Sequence, residues 1–200
     1  MTTYTRMPRP RRDEVRSRVL AAAATVFAQR GFAAASIDEV AGAAGFTKGA
    51  VYSNFASKDE LFLALMDARV NARVELVRRV TTDAPSTREA LAEIGDRLAR
   101  AAVEQADWQL LFLEFWLRAV REPAVREKFV AHRRALRASI AETIREASAD
   151  NRSVGKWPAE EMTVLLLALS NGFAIEALAD PASVPDGLFG RVLTRFADSE

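Results

Sequence analysis

Residues 36–55 read SIDEVAGAAGFTKGAVYSNF, and their local chemistry specifies two short helices around a tight turn. Ser36 stands three residues before Glu39, the spacing of a capping box, in which hydroxyl and carboxylate satisfy amide donors left unpaired at a helix start. Ile37, Val40, Ala41 and Ala44 recur at helical spacing and predict one buried face. Gly45 predicts the stop, because glycine takes a positive φ without steric cost. Thr47 is placed to cap a second helix whose Ala50, Val51 and Phe55 turn inward. Lys48, Gly49, Tyr52, Ser53 and Asn54 are left on or near the outer side. Two such helices form a helix-turn-helix, and its second helix can enter a DNA major groove. Lys48 is then a cation within phosphate range and Gly49 permits close backbone approach, while Tyr52 and Asn54 can reach phosphates or base edges. Any two small helices around a glycine share this spacing, so the flanks must add the specificity.

Upstream, a helix is expected over 13–29, with Val15, Val19, Ala22, Val26 and Phe27 on its buried stripe and Gly31-Phe32 as its C-terminal cap. Downstream, Ser57-Lys58-Asp59-Glu60 repeats the capping-box spacing and opens a helix to about Val80. Arg30-Gly31-Phe32, Ser36-Ile37, Val40-Ala41, Ala44-Gly45, Lys48-Gly49, Val51-Tyr52, Asn54-Phe55, Lys58 and Leu61-Phe62 stand in a pattern that closely resembles the N-terminal domain of TetR-family transcriptional regulators. The resemblance covers the first quarter to third of the chain. It departs at Ser53-Asn54, where the family often carries an aromatic or histidine pair. It implies an all-α protein of about nine helices: a three-helix DNA-binding domain over 13–57, then an effector-binding and dimerisation domain over 58–200. It further implies a cytoplasmic homodimer on a palindromic operator, a repressor released by a small, largely apolar effector. Phosphate contacts would come from Ser36, Thr47, Lys48, Tyr52 and Lys58. Base readout would come from the exposed side of residues 47–54, which includes Gly49, Ser53 and Asn54.

Composition is consistent with this and narrows the alternatives. The 200 residues are 50% hydrophobic and 28% charged, ordinary for a globular chain long enough to bury a core. There is no cysteine, which excludes disulfides, thiolate zinc sites and cysteine nucleophiles. Nine basic residues face six acidic ones in the first sixty, a surplus of +3 in a chain of net charge +1. Residues 1–12, with Pro8 and Pro10 among arginines, read as a flexible basic arm suited to DNA phosphates. The N-terminus lacks the apolar segment of a signal peptide, and the most apolar run, Val164–Leu169, falls short of the ~20 residues of a membrane span. No membrane partner is expected.

The remaining helices are expected near 86–105, 107–121, 123–149, 158–179 and 186–197, marked by Ser86-Thr87-Arg88-Glu89, Pro123, Pro158, Pro181 and Pro185. Trp108, Leu111, Phe112, Phe115 and Trp116 share one face of a helix, with Leu110, Leu113 and Leu117 on another, so this helix should be central. Its rings are either core or the lining of a cavity, and the family resemblance favours a cavity against this helix. Trp108, Phe112, Trp116, His132, Asn171, Phe173 and Glu176 are therefore the candidate effector residues. His132 is the only histidine, and it is either a half-buried core residue or a polar anchor. Residues 164–178 are apolar almost all round, so a second copy of the chain should cover one side, with Leu165, Leu169, Phe189 and Leu193 as the candidate dimer residues. Two alternatives remain: the same fold governed by a protein partner, and an all-α enzyme using Glu114, His132 or Glu176. No nucleophile–base pair, metal cluster or phosphate loop can be assembled for the latter, and no catalytic residue, metal or cofactor is expected.

Overall fold

The computed structural model describes residues 11–149 and 157–197. Among them the chain forms nine helices and no strand: α1 Arg12–Ala34, α2 Ile37–Ala44, α3 Lys48–Tyr52, α4 Lys58–Asp83, α5 Thr87–Glu104, α6 Ala106–Arg121, α7 Pro123–Ala149, α8 Ala159–Ala179 and α9 Leu188–Ala197. The all-α class is as expected. Residues 1–10 of the expected basic arm lie outside the described residues. The chain divides into two compact units, Met1–Met66 and Asp67–Glu200.

In the first unit the caps form as the spacing predicts. Ser36 Oγ accepts from Glu39 N at 3.2 Å, and Ser36 N donates to Glu39 Oε2 at 2.8 Å. Arg30 also donates to Glu39 at 2.9 Å. The Ser36 amide first and Arg30 second hold the Glu39 carboxyl below its usual range. Gly45 takes φ 72° and closes α2. Gly31, at φ 74°, interrupts α1 and delivers Phe32 to the core. Phe27, Phe32 and Phe62 meet with ring centroids 5.3–6.1 Å apart. Val19, Val40, Val51, Phe55 and Leu61 are sealed beside or near them. Each such side chain contributes about 1.5–3 kcal/mol on burial.

In the second unit α4 runs to Asp83, past its expected end. The Thr81 and Thr82 hydroxyls donate to the carbonyls of Val77 and Arg78, four residues back, as threonines within a helix commonly do. Val80, Leu91, Ile94, Phe189 and Leu193 form a core between α4, α5 and α9. There α5 and α9 cross at Gly95 and Gly190, so closely that a Cβ on Gly95 would lie 2.3 Å from Gly190 N. Trp108, Leu111, Phe112 and Phe115 of α6 are buried as expected, and Phe115 and Trp116 pack on Phe129 of α7 at 5.8 and 5.2 Å. The second apolar face of α6 is not covered: Leu110 and Leu117 are 56% and 49% exposed. This helix is therefore less central than its composition suggests.

Helix α8 is apolar over most of its length. By length and composition alone it could cross a membrane. Ser170, Asn171 and Gly172 interrupt its apolar run. Met162, Thr163, Ala174 and Ala177 are buried in the chain. Val164, Ala168, Gly172 and Ile175 form an exposed stripe.

Candidate functional site

The helix-turn-helix is held from behind by arginines of α1. Arg18 Nη2 donates to the Ala44 carbonyl at 2.9 Å, capping the end of α2, and its guanidinium lies 4.5 Å from the Phe46 ring. Arg16 donates to the Asn54 carbonyl at 3.2 Å and stacks over Phe55. These braces went unread in the sequence, where nothing pairs them with carbonyls 26 and 38 residues away.

With the turn pinned, α3 presents one edge outward. Thr47 Oγ1 accepts from Ala50 N at 3.3 Å and caps the helix. Thr47, Lys48, Gly49, Tyr52 and Ser53 are all exposed, and a Cβ on Gly49 would meet only Thr47 Oγ1, at 3.9 Å. Lys48 Nζ donates to Asp38 Oδ2 at 2.8 Å, which raises the lysine pKa. Because the pair is exposed, a phosphate can compete for the ammonium.

Three other candidates are engaged elsewhere. Ser36 is half-buried, with its hydroxyl committed to the cap. Asn54 is turned back, donating to Ala50 O at 2.9 Å, and its Oδ1 is enclosed with no partner among the described residues. Lys58 departs most from its expected phosphate role. Its ammonium donates to the carbonyls of Phe32, Ala33 and Ala35 at 2.7, 3.2 and 2.8 Å and lies 4.6 Å from the Phe32 ring. An ammonium has three protons to donate, and all are used within the unit.

The second unit holds a cavity of about 400 Å³, within the range of small-molecule sites. Val70, Val74 and Val77 of α4 face Leu91, Ile94 and Leu98 of α5, with Ile140 and Ile144 of α7, Leu166 of α8 and Leu193 of α9 closing the walls. The polar groups are few. Arg73 lines the cavity half-buried, Arg78 and Glu146 line it 3.8 Å apart, and Thr81, Thr82, Thr143 and Ser170 add hydroxyls. Burial first, and the Arg69 charge second, lower the Arg73 pKa. The cavity was legible in part: residues 70, 74 and 77 are an apolar stripe at helical spacing.

None of the seven expected effector residues lines this cavity, which opens against α4, α5, α7, α8 and α9 rather than α6. The α6 rings fill their own space instead. Trp108 is buried under the Arg69 guanidinium, while Phe112 stacks edge-on to Trp116, which lies under Arg133. His132 Nδ1 is 3.4 Å from Asp67, and its Nε2 is enclosed with no partner among the described residues. Burial first, then Arg133, lower the His132 pKa against the opposing pull of Asp67. Phe173 packs on Phe189 at 5.0 Å, Asn171 is half-buried and Glu176 is exposed. The expected dimer residues divide similarly. Phe189 and Leu193 are 2% and 3% exposed within their own chain, so they offer no surface to a partner, and Leu165 and Leu169 are half-buried. Among the described residues no cluster of His, Asp and Glu could hold a metal.

Residues 19–65 match the family model of bacterial regulatory proteins, tetR family, and residues 85–200 match that of the BetI-type transcriptional repressor C-terminal domain. The chain is 47% identical over 75 residues to the HTH-type transcriptional activator FasR of Mycolicibacterium smegmatis, a match covering 36% of this chain and only 34% of FasR. It is 28% identical over 172 residues to the HTH-type transcriptional repressor AcnR of Corynebacterium efficiens, covering 84% of each. A crystal structure of the regulator FadR from Bacillus subtilis in complex with stearoyl-CoA has the same fold, with a TM-score of 0.65 at 13% identity, covering 92% of this chain and 97% of that one.

Proposed function

Because the chain belongs to the tetR family of bacterial regulatory proteins, we propose that this transcriptional regulator is a homodimeric cytoplasmic repressor, released from a palindromic operator when a small, largely apolar molecule occupies its cavity. The observation that carries the DNA assignment is the exposed edge Thr47–Lys48–Gly49–Tyr52–Ser53 on a helix fixed from behind by Arg16 and Arg18. Thr47, Lys48 and Tyr52 contact phosphates and fix the register, while the groove-facing side of α3 reads bases. Ser36, Asn54 and Lys58 support this edge through the bonds they already make.

The repressor sense follows AcnR, whose match spans most of both chains, and the repressor family matched over 85–200. The dimer surface is the exposed α8 stripe Val164, Ala168, Gly172 and Ile175, which a second copy related by two-fold symmetry would cover. That symmetry calls for two half-sites in opposite orientation. The effector is read from the cavity walls, and the stearoyl-CoA bound to FadR is a precedent for an apolar chain in this fold. Release requires the effector to bind more tightly to a state that does not hold DNA. Helix α4 is the covalent route, since Lys58 at its start braces the reading unit and Val70–Thr82 line the cavity.

The test is Tyr52→Ala. Its affinity for duplex DNA recovered by selection should fall by about 1.5–3 kcal/mol at matched salt, the worth of a hydrogen bond to a charged group, with the thermal melt unchanged. Undiminished affinity would remove α3 from the interface.

A further inference from the structure

We propose that the molecule taken up by the cavity is an amphipathic acid, with its apolar body against the valine, leucine and isoleucine walls and its anionic head on the Arg73 guanidinium. This rests on the reading of the cavity as the effector site and gives that effector a charge. Arg73 lines the cavity on the same stretch of α4 as Val70, Val74 and Val77, which puts its long side chain within reach of a group held by the apolar walls. The cation is half-buried, and no hydrogen bond or opposite charge from the described residues acts on it. Its charged neighbour is Arg69, one turn back and of the same sign. Arg69 is itself satisfied by neutral groups, Gln105 Oε1 at 2.6 Å and the Trp108 face at 4.8 Å.

The other cation at the cavity, Arg78, has a carboxylate beside it in Glu146. Arg73 does not, although it is the more enclosed of the two. An ion withdrawn from water without a partner is costly, more so beside a like charge, and an entering anion removes that cost. A guanidinium offers a carboxylate or phosphate two parallel hydrogen bonds, and low-dielectric walls strengthen them. Neutral ligands of the same shape gain none of this. The cavity therefore selects for a negative head on an apolar tail.

The full-length protein is titrated with decanoate, decyl phosphate and decanol, which share a tail and differ in the head. Decanoate or decyl phosphate should bind about tenfold more tightly than decanol, or better, and whichever is preferred identifies the head as carboxylate or phosphate. Arg73→Met should abolish that preference while leaving decanol affinity intact, and Arg73→Lys should keep part of it. Leu166→Trp, which fills the cavity, should weaken all three. Ligand-free Arg73→Met should melt above wild type, because an unpaired charge has been removed; a lower melt would mean that Arg73 is held in the free protein, against the proposal. Equal binding of acid and alcohol, or a preference that survives Arg73→Met, would overturn the anionic head and leave the cavity as an apolar site. No binding by any of the three, or binding indifferent to Leu166→Trp, would overturn both readings.

Discussion

Lys58 carries the clearest division between what a sequence and a structure say about one side chain. Read along the chain, it is a cation in the first turn of a helix beside a DNA-reading motif, which suggests a phosphate contact. In the fold its three protons are spent on the carbonyls of Phe32, Ala33 and Ala35, 23–26 residues away. No spacing rule reports that convergence, because it depends on how Gly31 bends the end of α1. Lys58→Met should therefore act through stability. Leaving these acceptors unpaired should lower unfolding free energy by about 1–3 kcal/mol in a urea titration, whereas a wild-type midpoint would return Lys58 to the DNA. Lys48, by contrast, was legible, since its exposure follows from helical spacing alone. His132 titrates with a definite sign. Burial holds its folded-state pKa below the unfolded value, so the unfolded chain takes up a proton first as pH falls. Stability should be fully present above about pH 6.5, decline as pH falls through the folded pKa, and then level off in this contribution. His132→Gln should flatten that part of the profile in thermal melts at successive pH values; an unchanged profile would assign it to other groups.

The helices themselves were largely readable, and the reason is local chemistry. Ser36 and Ser86 each accept the amide of the glutamate three residues on, as their spacing predicts. Ser57 does the same with Glu60, though the carboxylate returns to Ala56 N rather than to the cap residue itself. Pro123 opens α7 and Pro158 caps α8. Packing was less readable. The α6 pattern of two apolar faces predicted cover on both, yet Leu110 and Leu117 are exposed, because amphipathicity says which residues can be buried and not whether a neighbour exists. Gly95 gave no signal at all. An interior helical glycine is ordinarily a weakness, but here its missing Cβ lets α5 and α9 touch backbone to backbone. Gly95→Ala should cost at least about 1–3 kcal/mol, the range for overpacking a core, because the atoms it meets are the backbone of Gly190 and cannot rotate away. Gly42 is the control: a Cβ there meets nothing within 4 Å, and alanine should leave stability unharmed. Equal melts for the two variants would mean that the α5–α9 crossing is looser than described.

For the molecule as a regulator, the family was legible from the first third of the chain, while the exposed side of α8 and most of the cavity wall were not. Both depend on which side of α8 faces inward, and an almost uniformly apolar helix does not encode that in its pattern. The fold turns Met162, Ala174 and Ala177 in and leaves Val164, Ala168, Gly172 and Ile175 out. Val164→Glu and Ile175→Glu should therefore yield monomers in sedimentation analysis without loss of helix content, since a buried unpaired charge opposes association; soluble mutant dimers would move the interface off this stripe. The account as a whole is tested most directly by selecting binding sites from a random duplex pool with purified protein at near-physiological salt. It predicts an inverted repeat whose half-sites are about one helical turn apart, or a multiple of it. A single asymmetric site, or no enrichment over bulk DNA, would contradict a two-fold regulator that reads DNA through α3.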